Sequence, residues 1–194
     1  GVQTCALPIS VTRMANEVHR VTDLLRAARR FAYADPSATV MRGIEPHVVD
    51  DLIATAIRSR EALLRDRPVS VQVPSDPVLV LVQCDFTLTL QILANLLENA
   101  ARYTPPASPI DVTVTVRETH ADITVADRGP GLDPDAVEQL FQPLRRGHHT
   151  GDGAVGTSGI DSAGLGLAIA RTFAQVQKGN LTYHARAGGG AAFV

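Results

Sequence analysis

The sequence predicts a two-layer α/β sandwich, with helices on one face of a mixed, largely antiparallel sheet, preceded by a single helix. Three observations carry this. The periodicities run in the order β-α-β-β-α-β-β-α-α-β-β along residues 44–194. Two adjacent segments, "IDVTVTVRE" and "ADITVAD", alternate apolar and polar residues as half-buried strands do. Two long segments instead space their apolar residues three and four apart, the period of a helix lying on a core.

The elements follow in order. The first ten residues, "GVQTCALPIS", resemble the in-frame translation of a common sequencing-library adapter and are set aside as non-native. On that reading Cys84 is the only native cysteine, and the chain is a piece of a longer protein. From 11 to 34, Met14, Val18, Val21, Leu24, Leu25 and Ala28 form a helical stripe, one arm of a helical hairpin or coiled coil. "YADPSA" breaks that helix at Pro36, so residues 35–43 read as a linker.

The main domain then spans 44–194. A short extended piece near His47–Val49 precedes a helix over Asp50–Arg65, capped by Asp50 or Asp51. "VSVQV" alternates as a strand, and the continuous apolar run "VLVLV" reads as a buried one. Asp85 caps a helix that ends near Tyr103, ahead of Pro105 and Pro106. The two alternating strands pair as a hairpin around Thr119–Ala121, and "DRGPGLD" is a turn. Pro134–Phe141 is a short helix with proline at its start. Residues 142–163, rich in Gly, His, Ser and Asp, read as a mobile loop. Glycines open the helix "GLGLAIARTFAQVQ", and "NLTYHA" and "GAAFV" close the domain as strands.

Composition narrows the function. Hydrophobic residues make up 45% of the 194, enough for a real core. The net charge of -2 gives no electrostatic case for nucleic acid or an anionic membrane. Aromatics are 4% with no Trp, which weakens any base-stacking reading. No apolar run approaches the roughly 20 residues of a spanning helix. Two cysteines make neither a disulfide framework nor a metal site, and a reducing, cytoplasmic setting fits best.

One helix poses a chemical question. In "NLLENAARYTPP", Asn95 and Asn99 are four apart and share a face, with Leu93, Leu96 and Leu97 beside them. A buried amide without a partner costs roughly 1–3 kcal/mol. These asparagines are either core amides satisfied by backbone or they point at a ligand. Three other elements bear on the choice. Asp127 ends a strand and is followed by Gly129 and Gly131; its side chain either caps the turn or accepts a hydrogen bond from an exocyclic amine such as that of adenine. The loop 142–163 holds Arg145, Arg146, His148 and His149. Gly164-Leu165-Gly166 opens a helix, where free amides and the positive dipole end favour phosphate, although a tight turn alone explains such a pair equally well. Asn99 offers a hard oxygen to Mg²⁺, and Arg102 offers charge to phosphate.

Taken together and in this order, these motifs resemble the ATP-binding domain of bacterial sensor histidine kinases, which shares the Bergerat-type ATP-binding fold with gyrase, Hsp90 and MutL. The resemblance covers roughly residues 45–194. "NLLENAARYTP" resembles the family's N box, "DRGPGL" its G1 box, "LFQPLRRG" its F box, "AGLGLAIAR" its G2 box and "GGGAAFV" its terminal strand. The run from "VPSDPVLVLV" to "DRGPGL" is most similar to Kdp-type potassium-responsive sensor kinases.

The resemblance implies roles. Asp127 binds the adenine amine, and Gly129 and Gly131 shape the adenine pocket. Asn99 holds Mg²⁺, and Asn95 supports phosphate or metal-bound water. Arg102, where the family has Lys, contacts phosphates together with Arg146, and Tyr103 packs beside the nucleotide. Gly164, Leu165 and Gly166 cradle the phosphates, residues 142–163 form the lid, and Phe141 anchors it. Both asparagines then face a nucleotide rather than the core. Gyrase-like ATPases carry a Glu where this chain has Asn95, a poor base, so transfer to a histidine rather than to water is implied.

The resemblance also implies partners: ATP, the histidine-bearing helix of the parent protein, a response regulator, and a second copy in a homodimer anchored at the inner membrane. Residues 11–34 resemble the second helix of the dimerisation hairpin. No histidine matches the family's H box; His19, His47, His120, His148, His149 and His184 lack its context, so the acceptor lies elsewhere and this piece does not phosphorylate itself. Ala163, Leu144, Ala191 and Ala192 depart from common residues of the G2 box, the F box and the last strand. Two other readings stay open: a degenerate scaffold that dimerises without catalysis, and a serine kinase of the anti-sigma-factor type.

Overall fold

A computed structural model describes residues 43–74, 79–132, 137–141, 166–186 and 188–194. The expected adapter segment, the 11–34 helix, almost all of the 35–43 linker and the 142–163 loop lie outside the described residues.

The order of elements is β1 (Glu45–Val48), α1 (Val49–Ser59), α2 (Glu61–Leu64), β2 (Val69–Gln72), β3 (Leu81–Cys84), α3 (Phe86–Tyr103), β4 (Ile110–Val116), β5 (Ala121–Ala126), α4 (Val137–Leu140), α5 (Gly166–Val176), β6 (Tyr183–Ala185) and β7 (Ala191–Phe193). Five strands form one sheet in the order β2-β4-β5-β7-β6. β2 pairs with β4 in parallel, Val69 against Ile110, and every other pairing is antiparallel. The hairpin β4–β5 is closed by the Arg117 amide donating to the His120 carbonyl at 2.8 Å. The mixed, largely antiparallel sheet and the helices on it are the architecture that the periodicities predict.

The core lies between this sheet and the helices. Leu52 and Ile53 of α1, Leu93, Leu96 and Leu97 of α3, and Ala170 and Ala174 of α5 meet Ile110, Val112, Val125 and Phe193 of the sheet. Each leucine fully buried this way contributes about 1.5–3 kcal/mol before entropic costs. The alternation of β4 puts Ile110, Val112 and Val114 inward, as its sequence requires.

α3 is the central helix, and local chemistry sets both its ends. The Asp85 carboxylate accepts from the Leu88 amide at 3.0 Å, closing the first turn. Thr104 leaves the helix in an extended conformation because Pro105 follows it. Gln177, just beyond α5, ties the helix pair: its Oε1 accepts from the Asp85 amide at 2.7 Å and from the Thr89 hydroxyl at 3.2 Å.

Three expectations need correction. The residue at the N-terminus of α1 is Val48, with no side-chain cap; Asp50 and Asp51 lie inside the first turn, where they face the positive dipole end without capping. The predicted helix to Arg65 is two helices, because Arg60 leaves helical geometry with φ -120° and ψ 16°. The run "VLVLV" is not a doubly buried strand. β3 begins at Leu81 and, among the described residues, pairs only with β1, Glu45 opposite Cys84, in a separate two-stranded ribbon. Val80, Val82 and Cys84 turn toward the core, while Leu79 and Leu81 are exposed. A continuous apolar run does not reveal how many faces are covered; the lack of a second sheet partner decides it.

Candidate functional site

The site forms where the C-terminal end of β5 meets the C-terminal half of α3. Asp127 follows β5 directly and is 5% exposed. Its backbone amide donates to the Ala191 carbonyl at 2.8 Å, which extends the β5–β7 pairing by one residue. Its Oδ1 accepts from the Gly129 amide at 2.8 Å and from the Ala191 amide at 3.3 Å. The first of these bonds is an Asx-turn, one of the two roles weighed from the sequence. Oδ2 has no hydrogen-bond partner among the described residues. One oxygen builds the turn and the other is left without a hydrogen bond among the described residues, so the turn-capping role does not use the whole carboxylate. Burial pushes the Asp127 carboxyl above its ordinary range; the amides of Gly129 and Ala191 and the charge of Arg186 pull it back.

The glycines around Asp127 fit one another too closely for side chains. A Cβ on Gly129 would stand 2.7 Å from the Tyr103 carbonyl oxygen, so the turn lies hard against the end of α3. Gly131 has φ +73°, and a Cβ there would be 3.2 Å from the Gly190 carbonyl oxygen. Gly190, with φ +112°, presses on the back of Asp127: a Cβ would fall 2.1 Å from the Asp127 carbonyl oxygen. Turn 127–131, the end of α3 and turn 186–190 therefore form one close-packed unit.

α3 separates the two asparagines. Asn95 is 4% exposed, and its Nδ2 donates to the Gly166 carbonyl at 3.1 Å. Gln91 donates to its Oδ1 at 3.4 Å. Asn95 is thus a buried amide bonded to backbone at the seam of α3 and α5, the first of the two alternatives weighed from the sequence. The reason is the approach of α5, whose first described residue supplies an acceptor at the seam. Asn99, one turn later, is half-buried and makes no side-chain hydrogen bond among the described residues.

Arg102 does not point freely at a ligand. Its guanidinium donates to the Glu98 carboxylate at 3.0 Å, and Glu98 also lies 3.9 Å from Arg60. Tyr103 is 45% exposed at the rim. Gly166 is the first residue of α5, and a Cβ there would meet nothing within 4 Å. Phe141 packs on the core with the Arg171 guanidinium 4.6 Å above its ring. Arg146, Gly164 and Leu165, expected at the phosphates, lie outside the described residues, as do Leu144, Ala163, His148 and His149.

Two arginines and one glycine that build the site escaped the sequence reading. Arg67 donates to the Thr104 hydroxyl at 2.6 Å, the Pro105 carbonyl at 2.9 Å and the Thr104 carbonyl at 3.2 Å, holding the end of α3 from the loop before β2. Arg186 donates to Asp111 Oδ2 at 2.7 Å and to the Asp127 carbonyl at 3.3 Å. Neither carries a local signal, because their partners are 37 to 75 residues away. Gly190 had one: three consecutive glycines before an apolar strand mark a backbone held in unusual geometry.

Among the described residues no helix is long and apolar enough to cross a membrane.

Residues 84–194 match the family model of histidine kinase-, DNA gyrase B-, and HSP90-like ATPases. The sensor protein KdpD of Escherichia coli (strain K12) is 31% identical over 145 residues, 75% of this chain and 15% of KdpD. The sensor-like histidine kinase SenX3 of Mycobacterium tuberculosis (strain ATCC 25618 / H37Rv) is 34% identical over 146 residues, 75% of this chain and 34% of SenX3. The chain thus spans about a third or less of these curated relatives, and Kdp-type kinases are among its relatives without standing apart in identity. The mycobacterial sensor histidine kinase MprB superposes with a TM-score of 0.66 at 23% identity, covering 77% of this chain and 94% of that structure, a likeness of fold. The match over 84–194 takes in α3, turn 127–131, α5 and the closing strands, and the chain belongs to the family of histidine kinase-, DNA gyrase B- and HSP90-like ATPases, as an ATP-binding domain related to those of sensor histidine kinases.

Proposed function

We propose that this domain binds ATP with Mg²⁺ and transfers the γ-phosphoryl group to a histidine on the dimerisation helix of its parent protein, for relay to an aspartate of a response regulator. The observation that carries the reading is Asp127: a buried carboxylate with one oxygen spent on its own turn and the other unpartnered, flanked by glycines that leave no room for side chains. Oδ2 would accept from the exocyclic amine of adenine, and Gly129 and Gly131 would let the ring approach the backbone. Asn99, one turn before Tyr103 on α3, carries an amide with no hydrogen bond among the described residues. It fits Mg²⁺ that takes most of its ligands from phosphate and water, since Mg²⁺ keeps several waters and needs few protein oxygens. Arg102 and Tyr103 stand one turn beyond, at the rim, where phosphate and ribose would pass, and Phe141 would seat the segment that follows it.

Transfer rather than hydrolysis is supported by what surrounds Asn99. Asn95 has no basic group and is committed to Gly166. The Glu98 carboxylate is paired with Arg102 at 3.0 Å and lies beside Arg60. Neither is placed to take a proton from water. In this reading the chain is the cytoplasmic part of a homodimeric, inner-membrane-anchored sensor, residues 11–34 belong to its dimerisation hairpin, and the acceptor histidine is supplied in trans for activity.

Titration with a non-hydrolysable ATP analogue, with and without Mg²⁺, tests this beside Asp127→Asn. Mg²⁺-enhanced binding that the variant loses supports the site. A folded wild-type chain that binds no analogue overturns it in favour of a scaffold without catalysis.

A further inference from the structure

We propose that Arg186 is a positioning residue for nucleobase recognition, aiming the free oxygen of Asp127 by bracing the backbone behind it. The inference rests on Asp127 being the acceptor for the adenine amine. The geometry is specific. Arg186 leaves β6, on the far side of β7 from β5, and its guanidinium forks between two strands of the sheet. One nitrogen donates to Asp111 Oδ2 at 2.7 Å, at the start of β4. The other donates to the Asp127 carbonyl at 3.3 Å. Asp111 also draws in Arg128, at 3.8 Å.

The backbone of Arg186 belongs to the same brace. Its amide donates to the Gly190 carbonyl at 3.2 Å, and its carbonyl accepts from the Gly189 amide at 3.1 Å. This closes the turn that brings Gly190 against the Asp127 carbonyl. The Asp127 carbonyl is therefore held from two directions by one residue: by its guanidinium directly, and by the turn its backbone shapes. Oδ1 is already fixed by Gly129 and Ala191, so the direction of Oδ2 follows from where this peptide sits. The positive charge of Arg186 also favours the ionised carboxylate, the form that accepts a hydrogen bond from an amine without losing an acceptor site.

The test compares ATP with the triphosphate of purine riboside, which differs from ATP only in lacking the exocyclic amine. The ratio of their affinities for the full 194-residue chain reads the Asp127–amine bond alone. A charge-assisted bond to one amine supports a preference for ATP of about tenfold or more. Arg186→Met removes the fork, and the preference is expected to fall about fivefold, with Arg186→Lys in between because a point charge cannot span both partners. A general loss of stability would weaken both ligands together and leave the ratio unchanged. If wild type shows no preference, the reading of Asp127 itself falls. If wild type discriminates and Arg186→Met keeps the full ratio, the positioning role falls and Asp127 stands. Should Arg186→Met not fold, Asp111→Asn, which loosens the anchor of the fork, decides: a lowered ratio supports the brace and an unchanged one overturns it.

Discussion

The close packing behind Asp127 makes a sharp prediction about two glycines two residues apart. Gly188 and Gly190 both sit at positive φ, +88° and +112°. An L-residue is strained at either position, by about 1–3 kcal/mol. Their surroundings differ completely. A Cβ on Gly188 meets nothing within 4 Å, so Gly188→Ala carries the backbone strain alone. A Cβ on Gly190 falls 2.1 Å from the Asp127 carbonyl oxygen, 2.9 Å from its carbon and 3.1 Å from Arg128 Cα. These atoms are backbone, fixed by the Ala191 and Arg186 hydrogen bonds, and cannot rotate away. Relief requires prising β7 from the end of β5, an overpacking cost of about 1–3 kcal/mol added to the strain. Gly190→Ala is expected to lose about 2–6 kcal/mol in urea unfolding, against about 1–3 for Gly188→Ala, the difference being the overpacking cost. ATP-analogue binding should be nearly intact in Gly188→Ala and lost in whatever Gly190→Ala chain remains folded. Equal destabilisation by the two substitutions would refute the argument, since it would mean that the contact with Asp127 contributes nothing.

Two further outcomes follow from the polar groups of the site. Asn95→Ala, which removes the bond between α3 and the Gly166 carbonyl, should cost about 0.5–1.5 kcal/mol in urea unfolding, and Asn95→Asp more, because it places a carboxylate against a carbonyl oxygen. The raised carboxyl of Asp127 means that the folded state holds its proton more tightly than the unfolded state, so stability falls as pH rises from the ordinary carboxylate range through the raised folded value. Asp127→Asn should remove that decline in a pH series of melting temperatures while abolishing analogue binding; an identical pH profile in variant and wild type would show that Asp127 does not carry the shift.

What the sequence disclosed and what it withheld follow from the range of the interactions. The Asp85 cap, the exit of α3 at Thr104 before Pro105 and the β4–β5 hairpin are set by neighbours a few residues away, and each was readable from spacing and residue type. Asp127 followed by Gly129 was readable for the same reason, since an Asx-turn spans two residues. The bond made by Asn95 was not legible because its partner is Gly166, 71 residues on, and nothing in "NLLENAARY" says that α5 will present a carbonyl there. The solvent-facing half of β3 was misjudged because burial depends on sheet neighbours and not on the strand itself. Arg67 and Arg186 were invisible, as each acts only on backbone brought near by the finished fold.

The division of labour on α3 then explains why two asparagines one turn apart have different fates. The helix must pack against α5 and also border an open site, and a single helical face cannot do both along its whole length. Opposite Asn95 α5 begins, and the carbonyl of its first described residue, Gly166, accepts from the Asn95 amide across the seam. A leucine here would pack without tying the two helices, whereas an asparagine adds a hydrogen bond between them through Nδ2. At Asn99, four residues on, no such acceptor is supplied and the same amide stays unpaired among the described residues. The same spacing therefore gives one side chain bonded across the helix seam and one without a hydrogen bond among the described residues. The Asn95 bond ties α3 to the start of α5, and in the proposed reading that spacing would set how far a phosphate at the start of α5 stands from Asn99. Substituting Asn95 should therefore weaken Mg²⁺-dependent binding through geometry, even though its side chain faces protein.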